Sequence, residues 1–314
     1  MKLIITIDTE EDDWGRYEPD GHSLKNIQKI PPLQSIFDEF GFRPTYLLTY
    51  PVATDDGSIS ILKEAADGKR CEIGTHCHPW NTPPFNGIPE SMICNLPADL
   101  QSKKISTLHR KIRDNFGVPP VSFRAGRWGY SKEMAQILYS LGYKVDSSVA
   151  PFIDWRDIGG PDNSDIFPQP YRFTADITRK DKKGRMVEVP ITISFFQRNS
   201  LRCNSIMRLL RHKYLRPFHV MGIAYRLNLI NRVWLSPEFF TLREMIKLTR
   251  ILIRRGHEYL NMPFHSSALL AGATHITKSK DDEVQFLKKI RDYLIFARDE
   301  GISSITLSEM EGLL

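Results

Sequence analysis

At 314 residues, with 41% hydrophobic and 25% charged side chains, the chain is long enough to bury a sizeable core and has the composition of an ordinary globular protein. No run of about 18 apolar residues appears, so no membrane span is expected. No basic, apolar, small-residue leader precedes the first strand, so the four cysteines (Cys71, Cys77, Cys94, Cys203) are expected to be reduced thiols in the cytoplasm. The net charge of +6 is local: between Ile191 and Pro237 there is no acidic residue, while Arg198, Arg202, Arg208, Arg211, Lys213, Arg216, Arg226 and Arg232 are basic.

Strand and helix patterns alternate along the chain. Lys2-Leu3-Ile4-Ile5 is an apolar, β-branched run that predicts a buried strand, leading into Thr6-Ile7-Asp8-Thr9-Glu10. Leu24 to Phe40 carries apolar residues at helical spacing, interrupted at Pro31-Pro32. Pro44 to Thr49 predicts a second strand, Ile59 to Ala66 a short helix, and Cys71 to Thr75 a third strand ending at His76. A charged amphipathic helix is expected over Asp99 to Phe116, then a strand Val121 to Phe123 followed by Arg124-Ala125-Gly126-Arg127-Trp128-Gly129. Ser131 fits the N-cap of a helix reaching Leu141, and Tyr143 to Val145 reads as a fifth strand ending at Asp146.

Residues 150 to 240 break this rhythm. Pro151 to Pro170 reads as a long loop and Arg172 to Ser194 as two strands joined by Lys182-Lys183-Gly184, with a helix over Ser205 to Lys213. The alternation resumes with a helix Leu242 to Arg255 and a strand Tyr259 to Pro263 that runs into Phe264-His265-Ser266. A helix Asp282 to Arg298 and a strand Ile302 to Leu307 follow. The expectation is one α/β domain over 1–314 with a mostly parallel sheet and an insertion at about 150–240. Asp8, Glu10, His76, His78, Arg124 and Asp146 all fall at or just after strand C-terminal ends. A barrel or a doubly wound sheet would each carry its site on that face.

Asp8 and Glu10, two apart in an extended chain, point the same way with Cα atoms roughly 6–7 Å apart. One carboxylate can ligate a metal while the other acts on water at that metal; an acidic strand exit at a surface accounts for the pair equally well. His76 and His78 face one way if the chain stays extended, and Cys77 faces the other, as a buried neutral thiol. Two imidazoles and one carboxylate form an open zinc set. His265, at the same end of the sheet, suits a general acid. Arg124 suits a brace that holds Asp8 ionised, or an ordinary salt bridge. Trp80, Trp128 and Trp155 follow site strands, where they could stack on a sugar or cap the core.

These motifs, in this order, resemble the five motifs of the polysaccharide deacetylases, the NodB-homology family also called carbohydrate esterase family 4. They are Thr-Ile-Asp8-Thr-Glu10, the segment from Glu72 to His78, that from Phe123 to Gly129, Val145-Asp146-Ser-Ser and Phe264-His265-Ser266. The resemblance implies a distorted (β/α)7-type barrel, here with an inserted loop, β-hairpin and basic helical region. It also implies a divalent metal, usually Zn2+, and hydrolysis of an acetyl group from a sugar. Carried over position by position, Asp8 is the base, Glu10 the metal carboxylate and His76 the first metal histidine. Arg124 braces the base, His265 is the acid and Asp146 supports that histidine. The second metal histidine usually lies four residues after the first, where this chain has Trp80, so His78 takes that place from a different backbone position.

The resulting expectation is a zinc-dependent deacetylase acting on an acetylated glycan or glycan precursor. A catalytically degenerate carbohydrate-binding or scaffold protein, and a metal-dependent amidohydrolase acting on small C–N bonds, are the alternatives. The basic segment 198–235 interleaves arginines with Ile206, Met207, Leu209 and Leu210, as a membrane-surface helix would. That composition suits an anionic membrane surface, at the inner face of the membrane of a cytoplasmic protein, or an anionic glycan or lipid-linked substrate, and equally a solvated basic flap over the barrel. No motif supports nucleic-acid binding.

Overall fold

The computed structural model describes residues 1–12, 17–85, 92–210 and 220–314. Its organising element is the first strand. β1 (Lys2–Thr9) pairs in parallel with β2 (Thr45–Leu48) on one side and with β10 (Tyr259–His265) on the other; the two-residue β11 (Ser303–Ser304) pairs with its start. From β2 the sheet continues through β3 (Glu72–Cys77), β4 (Ser122–Ala125), β5 (Val145–Asp146) and β7 (Met186–Glu188), all parallel. β6 (Tyr171–Phe173) forms the antiparallel edge.

Both faces of β1 are buried, which is why its sequence reads as one apolar run. Leu3, Ile5 and Ile7 pack outward under α1 (Ile30–Phe40), α3 (Asp56–Ala66), α4 (Ala98–Phe116), α8 (Leu242–Arg254) and α9 (Lys280–Asp299), whose apolar faces complete the main core. Ile4 points inward and meets Leu47, Val145, Val187 and Met310, the last from a 3-10 turn that plugs the bottom. Gly74 faces this interior because a Cβ there would lie 2.7 Å from the Leu47 side chain.

Above the apolar floor lies a polar layer that closes the curl. Asn261 on β10 accepts from Thr6, and its Nδ2 donates to Ser147 and to the Val189 carbonyl, beyond the opposite side of the sheet. The Thr192 N–H donates to the Asn261 carbonyl at 2.9 Å. Opposite margins of the sheet therefore meet through side chains and one loop rather than through a continuous ladder. The result is a curled parallel half-barrel, the architecture expected from the sequence motifs, and not an open doubly wound sheet.

Residues 150–240 are not wholly an insertion. β7, within that stretch, is a main-sheet strand, and β6 and β7 form the expected hairpin. A separate two-stranded sheet, β8 (Ile193–Phe195) with β9 (Arg232–Trp234), and two helices, α6 (Ser200–Leu210) and α7 (Val220–Arg226), do lie outside it. β9 was not legible as a strand because it has three residues and a single partner. α6 starts five residues before the predicted helix; that helix's end at Lys213, with Arg211 and Arg216, falls outside the described residues. The last predicted strand, Ile302 to Leu307, shrinks to β11, after which the chain turns under the sheet. Tyr50–Thr54 forms a short helix, α2, that periodicity did not show; α5 (Lys132–Ser140) follows its predicted Ser131 cap. Among the described residues no helix is long and apolar enough to cross a membrane.

Candidate active site

The register of β1 against β10 sets Asp8 beside His265 on neighbouring strands. Arg124 enters from β4, three strands from β1 in sheet order, and reaches across the curled interior to Asp8. Its guanidinium is fully buried and four of its five N–H bonds are used. Nη1 donates to Asp8 Oδ1 at 2.6 Å, Nη2 to Thr6 Oγ1 and Ser147 Oγ, and Nε to the Ser147 carbonyl. Burial raises the Asp8 pKa, but Arg124, with His76 and His265, outweighs it and holds the carboxyl below its ordinary value. The other oxygen, Oδ2, faces His265 Nε2 at 3.8 Å and His76 Nε2 at 4.0 Å.

Glu10 is held at its backbone. Its N–H donates to Ser266 Oγ, and its carbonyl accepts from Asn26 Nδ2 at 2.9 Å. The side chain is left to meet two imidazoles, with Oε2 3.3 Å from His78 Nε2 and 3.9 Å from His76 Nε2. His76 Nδ1–H donates to the Arg124 carbonyl at 3.1 Å, which directs the Nε2 lone pair towards Glu10. His78 lies one residue past the last residue of β3 and on the same side as His76, the ring centroids 4.5 Å apart. Its ring is fitted between Trp80, edge-on at 4.0 Å, and Gly126, where a Cβ would lie 3.1 Å from the imidazole. Trp80, four residues after His76, thus supports the His78 ring.

One ligand atom each from Glu10, His76 and His78 falls within 4.8 Å of the others. Tetrahedral zinc with bonds of 2.0–2.1 Å would set ligand atoms about 3.4 Å apart, close to the separations found. Glu10 Oε1 and His78 Nε2 are buried with no hydrogen-bond partner, a costly state that a cation between them would relieve. Burial lowers both imidazoles to about 4, so they are neutral, as ligation requires. Burial raises Glu10 to about 8 without a cation. The residue set fits a divalent metal. Cys77 faces away, buried, its thiol raised by burial to about 12.

Asp146 is placed elsewhere. It lies on β5 in register with Glu188 of β7, and accepts from Ser148 N–H and Oγ. Burial raises both carboxyls, Glu188 the more strongly, so that Glu188 keeps a proton and shares it with Asp146. The carboxylate on His265 is Glu238, which sequence reasoning missed. It receives the His265 backbone N–H at 2.9 Å and lies 3.0–3.1 Å from Nδ1. Burial disfavours a charged His265, but Glu238, Glu10 and Asp8 outweigh it and lift its pKa to about 10. The available signal was position: Glu238 is the first acid after the acid-free stretch. It is distant in sequence because the two-stranded sheet carries it to the site.

These groups line one cleft of about 400 Å³, walled by Tyr17, Trp80, Trp128, Trp155, Trp234 and Phe239. The arrangement offers a carboxylate braced by a cation, a protonated imidazole braced by an anion, and a three-ligand metal set between aromatic walls.

No family model matches the sequence, and no curated protein is similar to it in sequence. Solved structures do share the fold. One is a Mycobacterium smegmatis protein assigned to the polysaccharide deacetylases, at 13% identity over 99% of this chain and 90% of that one, with a TM-score of 0.54. Another is 4-alpha-glucanotransferase from Thermococcus litoralis, at 13% identity and a TM-score of 0.55, over 98% of this chain but 40% of that one. A family 4 acetyl xylan esterase from Clostridium thermocellum, in complex with a cobalt ion, matches at 12% identity and a TM-score of 0.46, over 99% and 91%. The first of these, at a TM-score of 0.54, shares the fold to which the sequence motifs pointed.

Gly126→Ala would press on both the Cys77 carbonyl and the His78 ring, displacing the end of β3 and the imidazole at about 1–3 kcal/mol of overpacking. Zinc affinity should then fall roughly tenfold to a hundredfold in competition with a chelator; unchanged affinity would remove His78 from the ligand set. In the wild type, Glu10 must lose a proton to bind, whereas the histidines are already neutral. Between pH 5.5 and 7.5 zinc affinity should rise about tenfold per pH unit and level off above about 8. A slope near two would mean that a histidine titrates as well.

Proposed function

We propose that the protein is a metal-dependent deacetylase that hydrolyses an acetyl group, N-linked in the favoured case, from a sugar of a glycan or glycan precursor. The observation that carries this reading is the in-register pairing of Asp8 with His265, each braced by its own counter-charge, beside Glu10, His76 and His78. When bound, a divalent metal supplies a Lewis acid that polarises the acetyl carbonyl and acidifies water.

Asp8 Oδ2 is the acceptor for the proton of the attacking water, because Oδ1 is occupied by Arg124. The salt bridge keeps Asp8 unprotonated and fixes its direction. His265 Nε2, facing the same space, gives its proton to the leaving nitrogen. Glu238 holds Nδ1 and so keeps Nε2 protonated and aimed inward. The aromatic walls suit the faces of a sugar ring and exclude bulk water.

The glucanotransferase that shares the fold invites comparison, since fold alone does not set chemistry. Glycosyl transfer ordinarily uses two carboxylates facing each other across the scissile bond. Here Asp8 is tied to Arg124 and Glu238 to His265, while Glu10 faces two imidazoles, which favours acyl hydrolysis. The same set of groups favours an enzyme over a scaffold, and a cleft lined with indoles favours a sugar over a small amide.

Asp8→Asn should lower acetate release from acetylated chito-oligosaccharides at least about a hundredfold, with zinc stoichiometry unchanged. Retained turnover would overturn the assignment of the base, and ammonia release from small amides would favour the other amidohydrolase reading. Leu209, Ile223, Leu227 and Leu229 are each more than half exposed, with Arg202 and Arg226 beside them. This composition favours an anionic membrane surface as a partner. The full chain should co-sediment with phosphatidylglycerol vesicles at low salt, and a Leu209→Glu, Leu227→Glu variant should not. Equal recovery with neutral vesicles would rule this partner out.

A further inference from the structure

The cleft holds a cation that the proposed reaction does not use. Arg127 follows Gly126, which backs the His78 ring, and its side chain lines the cleft. Arg127 and Trp128 are successive non-glycine residues in the left-handed region, at φ 54° and 62°. That conformation is unfavourable for side chains of this size, and two in a row persist only where the surroundings enforce them. Here they turn both side chains towards the cleft.

The other cations of the cleft are neutralised in place, Arg124 by Asp8 and His265 by Glu238. Arg127 forms no ion pair among the described residues; its guanidinium lies over the Tyr17 ring at 5.2 Å and donates to the Tyr17 hydroxyl. With that oxygen accepting, the Tyr17 proton is free to be donated elsewhere. Tyr17 rests edge-on against Trp80 at 4.9 Å, and the Trp80 indole N–H is buried without an acceptor. Three neighbouring groups therefore offer N–H or O–H donors, one of them charged, with no acceptor among the described residues to take them all. Of these donors the Trp80 N–H is buried, Arg127 is half-buried and Tyr17 is exposed; an acceptor with several oxygens entering the cleft would satisfy the buried donor and pair the guanidinium together.

We infer that Arg127, with Tyr17 and Trp80, forms an anion-binding subsite, so that the sugar taken into this cleft carries a phosphate or a carboxylate. The inference rests on the reading of the cleft as a sugar site. An anion here would be read by charge-assisted hydrogen bonds from a planar guanidinium, the geometry that suits both oxyanions. A neutral acetylated sugar would leave the guanidinium unpaired.

Binding is the readout, followed by tryptophan fluorescence of the zinc-loaded protein, so turnover is not needed. The probes are N-acetylglucosamine, N-acetylglucosamine 1-phosphate and N-acetylmuramic acid. At least one charged sugar should bind about tenfold to a hundredfold more tightly than the neutral one, and which of them does identifies phosphate or carboxylate as the anion. Arg127→Asn, a residue that tolerates the left-handed backbone, should abolish the preference, the charged and neutral sugars then binding alike. Arg127→Lys should restore part of it, which also guards against a misfolded Asn variant. Equal binding of all three sugars would overturn the anion subsite and leave the sugar reading intact. A preference that persists in both variants would assign the anion to the metal and overturn the role of Arg127. Failure of all three sugars to bind would overturn the sugar reading and this inference with it.

Discussion

The bond between Arg124 and Asp8 crosses the inside of the curled sheet, and the site is built around it. A buried carboxylate and a buried guanidinium are each expensive, and their attraction offsets the loss of water only when the remaining donors and acceptors are also satisfied. That condition explains the layer beneath. Thr6 and Ser147 take up the donors Arg124 has left, and Asn261, which accepts from Thr6 and donates to Ser147, joins β10 to the chain beyond β7. The network that keeps Asp8 charged is also the one that closes the sheet. Arg124→Lys would keep the charge and lose the fork of donors, so it is no conservative exchange.

Opposed environments separate the acid and the base. Asp8 and His265 lie side by side, yet Arg124 stabilises the anion of one and Glu238 the cation of the other. Their pKa values are driven further apart than in solution, with the carboxyl lowered and the imidazolium raised. A pair polarised in this way suits proton transfer in one direction across a substrate between them. Glu10 differs because its burial is not offset by a bound cation of the protein, so its carboxyl keeps its proton up to about 8 and is the natural seat for a metal.

Part of this was legible in the chain. The two-residue alternation placed Asp8 with Glu10 and His76 with His78, and the structure brings Glu10, His76 and His78 within ligating distance. Arg124 was recognisable as a polar residue ending an apolar strand. Asp146 illustrates the limit. It occupies a recognisable motif position, but β7 presents Glu188 opposite it, and the two carboxyls bury together while Glu238 approaches His265. A motif position does not report which acid the fold brings to a histidine when the supplying loop is long and irregular.

Sequence alone determined the alternation of strand and helix and the edge of the sheet at which polar residues gather. It also determined the direction each of those residues faces, because these follow from local periodicity and from a backbone that alternates sides. Tertiary structure alone decided that the sheet curls, that Arg124 reaches Asp8 across three strands, that Trp80 and Gly126 clamp His78, and that Glu238 braces His265. Those choices depend on contacts between residues well separated in the chain, 116 positions apart for the 2.6 Å bond that joins β4 to β1. The free energy of such contacts comes from burial and from satisfying charges together, and no local pattern encodes it.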